Sequence, residues 1–558
     1  MDILLESCQR RGSTHGFASK MLMRMKPFTT PGRAFQPFLS IAMLLCGASI
    51  SINAATLLDT IGVTLLRTVT TNLDGTGIRV AQPEASSNTN TLDFQLDPGD
   101  GNIAQPLSLL TYVSTLGSAT NFPNSVGAYS GHASQVATYF FGRSTGVATN
   151  VSHVDNYDAD YFINTFIDTP APPDSGARIV NQSFIFGALP VPTQQSVDAS
   201  YDDAAAAHNT LFVSGAGNGG AVSAPATCYN GLGVAAFGGA SSAGPTPDNG
   251  RCKPDITAPA GFTSFSTPQV AGAAAVLLEA GLRGDGGNDT NSAAQIQTLK
   301  ALLLNGAVKP ASWTNSISSP LDTRYGAGVL NLFNSYQQLA GGKHAAVELT
   351  SVNLLAPHPP GANPSSIVAW SGWSFATLSS TPSKDRIHHH YFTLTNALNN
   401  AAFTVTATLV WNRQQGQTSL NDLDLFLYDC ATSNLIAQSI SGVDNVEHIY
   451  TNVPPGRYDL QVLKYGGNAG NGNVISNEDY ALAWEFFAST LSLSASTTNA
   501  IVSWPISPDG FALQSTPNLN PPTWTTLSLP RTVANGTNQV AVPLNSSNQF
   551  FRLVRPAF

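Results

Sequence analysis

Phe262-Thr263-Ser264-Phe265-Ser266-Thr267-Pro268-Gln269-Val270-Ala271-Gly272 sets a serine just ahead of a proline and a small-residue apolar run that continues to Ala280. Proline is at home in the first turn of a helix, where its missing N–H has no partner to lose. The spacing therefore predicts a helix over 268–280 with Ser264 directly before it. A helix N-terminus carries unpaired N–H groups and partial positive charge. A hydroxyl placed there can attack a carbonyl and have the resulting oxyanion stabilised by the same N–H groups. The plain alternative is a Ser/Thr helix cap.

Outward from that stretch, residues from about 60 to 340 alternate short β-type and helix-type runs. Strands are expected at 78–81, 178–184 and 210–213, the last ending in the glycine turn Ser214-Gly215-Ala216-Gly217-Asn218-Gly219-Gly220, and a helix at 132–141. Strand–helix alternation indicates an α/β fold with a largely parallel sheet flanked by helices. Past Gly341 the character changes. Pro357-His358-Pro359-Pro360-Gly361 reads as linker, and Phe403 to Trp411 alternates with period two, as in an antiparallel sandwich. The expected organisation is a targeting segment (1–55), the α/β domain (56–342), a linker (343–365), an all-β sandwich (366–488) and a small terminal β module (489–558).

Composition narrows the function classes. Charged residues are 11% of the chain against a usual share of about 25%. The balance of 25 basic against 34 acidic residues, net −9, offers no polybasic field for nucleic acid or anionic lipid. Six of the basic residues (Arg10, Arg11, Lys20, Arg24, Lys26, Arg33) fall within 1–55, ahead of an apolar run from Phe38 to Ile52 and the small residues Asn53-Ala54-Ala55. That order is the pattern of a secretory signal peptide, with a single N-terminal anchor as its alternative. Secretion or a cell-envelope location is expected, with no membrane insertion of the mature chain. Of the five cysteines, Cys8 and Cys46 lie in the targeting segment, leaving Cys228, Cys252 and Cys430. Cys228 and Cys252 are the one plausible intradomain disulfide, and no Cys/His set has zinc spacing.

The stretch from Phe262 to Gly272 resembles the nucleophile motif of the subtilisin-like serine proteases, G-T-S-x-[AS]-x-P-x-V-A-G, with Phe262 in place of the family glycine. Further blocks follow in the family's order. Gly131-His132-Ala133-Ser134-Gln135-Val136-Ala137 looks like a degraded H-G-T-H-V-A-G, with Gln135 replacing the second His. Gly217-Asn218-Gly219 matches A-G-N-x-G, and Arg178-Ile179-Val180-Asn181-Gln182-Ser183-Phe184 resembles the strand that pairs with substrate backbone. Ile185 and Phe186 follow where small residues are usual, so a narrower groove is expected. The run from Gly244 to Pro259 resembles a block of the family that is structural in role, and Pro259 lies only five residues from Ser264, a shortened connection.

The resemblance implies Ser264 as nucleophile, His132 as general base and Asn218 as oxyanion donor. It places Ser183, Phe184, Gly215 and Gly217 along the substrate, and implies protein or peptide substrates. The third member of the triad is the departure. Gly77-Ile78-Arg79-Val80-Ala81-Gln82-Pro83-Glu84 aligns with the strand that ordinarily ends in Asp, which puts Glu84 in that role. A carboxylate is what the chemistry needs, to fix the imidazole tautomer and to stabilise the imidazolium. Asp74, Asp93, Asp97 and Asp100 are the other carboxylates nearby, and a solvated Glu at a strand end is the alternative. About twenty residues separate Ala55 from the first strand, too few for a propeptide of the family's usual size, so either no propeptide or folding assisted in another way is expected.

Trp370-Ser371-Gly372-Trp373-Ser374-Phe375-Ala376, Asn421-Asp422-Leu423-Asp424-Leu425 and Pro454-Pro455-Gly456-Arg457-Tyr458 resemble the pre-peptidase-type β-sandwich appended to many secreted subtilisin-like proteases. Asp422 and Asp424 would share a strand face, which suits a structural Ca²⁺ or a plain polar edge. No cofactor is needed for the chemistry. His388-His389-His390 is read as surface. Two other functions stay open: a catalytically impaired pseudoprotease, and a binding or adhesion protein whose β modules carry the role.

Overall fold

The computed structural model describes residues 54–87, 91–348, 366–379, 387–395, 402–465, 477–488, 491–495, 498–505, 512–518, 523–534, 537–544 and 549–554. All but the last two residues of the targeting segment, and the proline-rich part of the linker, lie outside them.

An eight-stranded sheet is the platform. Its order is Ile256–Pro259, Leu232–Phe237, Leu211–Gly215, Ile179–Gln182, Arg79–Glu84, His153–Asp158, Leu110–Ser114 and Gly117–Ala119. Every neighbouring pair is parallel except the last. The strands Ile179–Gln182 and Leu211–Gly215, and the edge strand Ile256–Pro259, are buried at every position, as parallel strands covered on both faces must be. The first strand ends at Glu84 rather than at Ala81. Its pairing with Ile179–Gln182 covers only Val80 and Ala81, so Pro83 lies beyond that ladder, while on the other side it stays in register with Tyr157 of His153–Asp158. Two short helices, Ala54–Thr60 and Val63–Val69, precede the sheet and bury Ile61 and Leu66.

The expected helix over 268–280 runs instead over Thr263–Arg283. Ser264 therefore sits inside its first turn, and Pro268 lies one turn further in. The run Val270–Gly281 is buried throughout, because this helix threads between the sheet and the surrounding helices.

Residues 366–488 form two antiparallel sheets. One has the order Val347–Glu348, Ile387–Leu394, Gly456–Tyr465, Asp422–Asp429, Leu435–Ser439, and the other Ser371–Leu378, Glu478–Ala488, Phe403–Trp411, Val446–Val453. Trp411, Trp484, Phe392, Leu425 and Leu460 fill the space between them. Two smaller sheets at the C-terminal end share a core around Val502, Trp504 and Val540.

The alternation of Phe403–Trp411 foretells one wet face, yet all nine residues are buried. Phe403, Val405, Ala407, Leu409 and Trp411 face the sandwich core. Thr406 and Thr408 instead donate their hydroxyls to Asn305 Oδ1, each at 2.9 Å. Asn305 ends the helix Ile296–Asn305, which is buried on all sides because the sandwich covers the face the sheet does not. Trp373 belongs to the same joint: it is 1% exposed and its indole N–H donates to the Leu339 carbonyl at 3.1 Å.

Two expectations are corrected here. Cys228 and Cys252 are both free and buried, not bridged. Cys252 instead gives its backbone N–H to Asp444 of the sandwich, at 2.7 Å. His388, His389 and His390 are buried rather than on the surface, because both faces of their strand are covered. His389 Nδ1 lies 2.7 Å from Asp459, and His388 Nδ1 lies 2.8 Å from the Tyr480 hydroxyl. Among the described residues no helix is long and apolar enough to cross a membrane.

Candidate active site

The C-terminal ends of the parallel strands bring the chemistry-bearing residues together. Glu84 is the last residue of the central strand Arg79–Glu84 and is 4% exposed. Facing it is the helix Gly131–Phe140, whose N-cap Ser130 accepts the Ala133 N–H and so fixes the start one residue before His132. His132 Nδ1 lies 2.5 Å from Glu84 Oε1. The Glu84 carboxylate raises the His132 pKa above the ordinary imidazole value, against the opposing pull of burial. In this contact Nδ1–H donates to the carboxylate, which leaves Nε2 as the basic nitrogen. The other carboxylates are committed elsewhere: Asp74 accepts from Thr76 and Asn150, Asp97 from Gly99, and Asp100 from Asn102. Asp93 accepts from Ser87.

Ser264 lies in the first turn of Thr263–Arg283, where its own N–H has no helical carbonyl to bond. The helix start is held in three ways. Asn218 Oδ1 accepts from the Thr263 N–H at 2.8 Å and the Thr263 hydroxyl at 2.9 Å. Because that oxygen is engaged, the planar amide points its Nδ2 hydrogens away from Thr263. Pro268 has no N–H to bond the carbonyl four residues back, that of Ser264, and this carbonyl accepts instead from the Ser183 hydroxyl at 2.9 Å. Gly215 permits close approach, since a Cβ there would stand 3.2 Å from Thr267 Oγ1 and 3.3 Å from Thr263 Oγ1. The Phe265 ring lies 5.8 Å from the His132 imidazole and 5.8 Å from the Tyr139 ring, so the two helices meet at this point.

Gly217 has φ 103°, a conformation only glycine adopts at no cost, and a Cβ on it would sit 2.7 Å from Ser242 Oγ. Phe184 leaves the end of its strand half-buried. Gln135, exposed, helps line a cavity of about 420 Å³ with Asp100, Thr138 and Tyr139, one turn along the helix from His132.

These features carry a family's signature, and comparison with known proteins agrees. Residues 76–328 match the model of the subtilase family. Solved structures similar to this chain include the prenylagaramide maturation protease PagA, at 21% identity over 50% of this chain and 99% of that one, TM-score 0.32. A protease from Pseudoalteromonas arctica is 18% identical over 48% and 91% of the two chains, TM-score 0.32. The pre-peptidase C-terminal domain of a Bacillus anthracis collagenase matches 20% of this chain over 87% of its own, at 17% identity and TM-score 0.15.

Asp422 and Asp424 stand apart from this site, on the strand Asp422–Asp429 of the sandwich. Burial pushes Asp422 up to about 6, and burial with the neighbouring Asp422 pushes Asp424 up to about 8. Among the described residues no three His, Cys, Asp or Glu side chains gather as a metal set.

Sequence reasoning missed two contributors. Thr263 was quoted within the motif, but its grip on Asn218 depends on a contact 45 residues away. The link from Ser183 to Ser264 was legible in principle, since Pro268 four residues after Ser264 frees that carbonyl.

Proposed function

We propose that the chain is a secreted serine endopeptidase acting through Ser264, His132 and Glu84, with Asn218 as oxyanion donor. The observation that carries this reading is the 2.5 Å contact between His132 Nδ1 and Glu84 at the end of the central strand, beside the helix that begins at Thr263. The Ser264 hydroxyl attacks the scissile carbonyl carbon while His132 Nε2 takes its proton. The oxyanion accepts from Asn218 Nδ2 and from the Ser264 N–H at the helix N-terminus. Collapse breaks the C–N bond, and the leaving amine takes the proton from His132. Water, deprotonated by the same imidazole, then releases the acyl group from Ser264.

Ser183, Phe184, Gly215 and Gly217 line the acyl side of the substrate, which is a protein or peptide. The family's chemistry needs no cofactor. Secretion rests on the sequence of residues 1–55, and the domain boundaries on the sequence pattern. A fluorophosphonate that labels activated serines tests the reading on wild type, Ser264→Ala and Glu84→Gln. Labelling of wild type that is absent in Ser264→Ala and slow in folded Glu84→Gln is expected. Folded wild type that resists the probe would leave the pseudoprotease reading in its place.

A further inference from the structure

We propose that Ile185 closes the acyl-side cleft, so that cleavage follows glycine or alanine and bulky side chains are rejected at that position; this rests on the peptidase reading above. Ile179–Gln182 and Leu211–Gly215 are parallel neighbours with Gln182 opposite Ser214. Beyond that pair the chains part, one into Ser183-Phe184-Ile185 and the other into Ala216-Gly217-Asn218. The space between the two diverging segments is a cleft at the carboxyl ends of adjacent parallel strands. Its mouth faces the nucleophile, because Ser183 bonds the Ser264 carbonyl and Asn218 bonds Thr263. A carbonyl held between Ser264 and Asn218 therefore sends the side chain of its own residue into this cleft.

Three observations show how little room is there. A Cβ built on Gly217 would stand at ordinary contact distance, 3.7 Å, from Ile185 Cδ1, so the gap between the tip of Ile185 and the bare glycine wall holds about one methyl group. The Phe186 N–H donates to the Ala224 carbonyl at 2.8 Å, tying the wall that carries Ile185 to the loop after Gly217 and preventing the walls from spreading. The Phe186 ring is braced edge-on by Phe184 and Tyr201, each with centroids 6.4 Å away. Ile185 is itself 39% exposed. Its position comes from this anchored backbone and from a β-branch that restricts χ1. A hydrogen or methyl fits beside it, whereas a benzyl or isobutyl group needs the space Ile185 fills.

The test uses the full chain and three serine-directed probes: a fluorophosphonate without a side chain, and two peptidyl phosphonate diphenyl esters with an alanine-like or phenylalanine-like group at the reacting centre. Labelling rates are compared for wild type, Ile185→Gly and Ile185→Val. Wild type should take the alanine probe at least ~10-fold faster than the phenylalanine probe. Ile185→Gly should move the phenylalanine:alanine ratio up by ~10-fold or more, with Ile185→Val between. The ratio cancels any general loss of activity in a variant. Equal rates in wild type, an unmoved ratio in Ile185→Gly, or fluorophosphonate labelling with neither peptidyl probe reacting would each overturn the assignment. Failure of all three probes on folded wild type would instead remove the peptidase reading, and this inference with it.

Discussion

Replacing Glu84 is the sharpest perturbation, because its carboxylate can be neutralised or shortened separately. Gln keeps the length of Glu and removes the charge. Without the charge, an amide at this position no longer fixes the tautomer with Nε2 basic, nor does it stabilise the imidazolium. A carboxylate-to-amide change of this kind costs about 10⁴ in kcat in a serine protease triad, equivalent to about 5.5 kcal/mol of barrier. The pH dependence moves too. Catalysis needs neutral His132, and the Glu84 carboxylate raises its pKa above the ordinary value, so the acid limb of kcat/KM in wild type lies above about 6.5. In Glu84→Gln that limb should shift to lower pH.

The stability sign is fixed by the same shift. A raised His pKa stabilises the fold fully below the unfolded value and loses that contribution as pH rises through the folded value. Glu84→Gln should therefore be destabilised on the acid side, with the difference fading at alkaline pH. Glu84→Asp gives the geometric control. It withdraws the carboxylate by about 1.5 Å, which opens the 2.5 Å contact to roughly 4 Å, beyond hydrogen-bond reach. It should lose most activity although Asp is the residue the family resemblance supplies at this position. Peptide hydrolysis by purified variants over pH 5–10, with melting curves at the same pH values, provides both readouts. Glu84→Gln within about tenfold of wild type, with an unmoved acid limb, would refute the reasoning.

Other consequences can be measured directly. Asn218→Ala should lower kcat by about 10²–10³ with little change in KM, since it removes a donor aimed at developing charge. Trp373→Ala should destabilise the molecule by about 3–5 kcal/mol in chemical denaturation, as it empties a fully buried site and removes the indole hydrogen bond to the Leu339 carbonyl. Truncation before residue 366 should yield an aggregating peptidase segment rather than a merely slower enzyme, because Ile296–Asn305 loses the cover over one face; a soluble, cooperatively melting fragment would contradict this. Asp424→Asn should gain stability over wild type as pH rises from 4 towards 8, since a carboxyl held up to about 8 when folded favours the unfolded chain across that window. If Asp422 and Asp424 hold a structural Ca²⁺, adding Ca²⁺ to chelator-treated protein should raise its melting temperature and Asp424→Asn should abolish the rise; an unmoved melting temperature would leave the pair a plain polar edge.

The parallel sheet was legible because strand and helix runs alternate locally, and each strand reads as a short apolar segment. The boundaries were less so. Arg79–Glu84 runs past Pro83, which has left the ladder with Ile179–Gln182 but keeps its register with His153–Asp158, a fact of register and not of local sequence. The threonine face of Phe403–Trp411 was not legible for a similar reason. Period two separates Thr406 and Thr408 from the core face, and their burial depends on Asn305, about a hundred residues away in sequence. The three histidines at 388–390 went the same way: alternation told which faces they take, but not that both faces are covered.

The site itself was read from motifs that are continuous in sequence, and its joints are the parts that are not. Placing the helix start at Pro268 treated the proline as an initiator. Its position one turn inside has a different consequence: Pro268 withholds the N–H that would have bonded the Ser264 carbonyl, and Ser183 bonds that carbonyl instead. The segment that lines the acyl side is thereby tied to the residue proposed to attack. Asn218 is tied to the same turn through Thr263, and His132 meets it through Phe265. The proposed base, oxyanion donor and acyl-side wall thus converge on one helical turn, Thr263 to Phe265. Glu84 alone acts from outside that turn, through its hold on His132, so the departure from the usual Asp is borne by one strand end and one imidazole and leaves the remaining contacts intact.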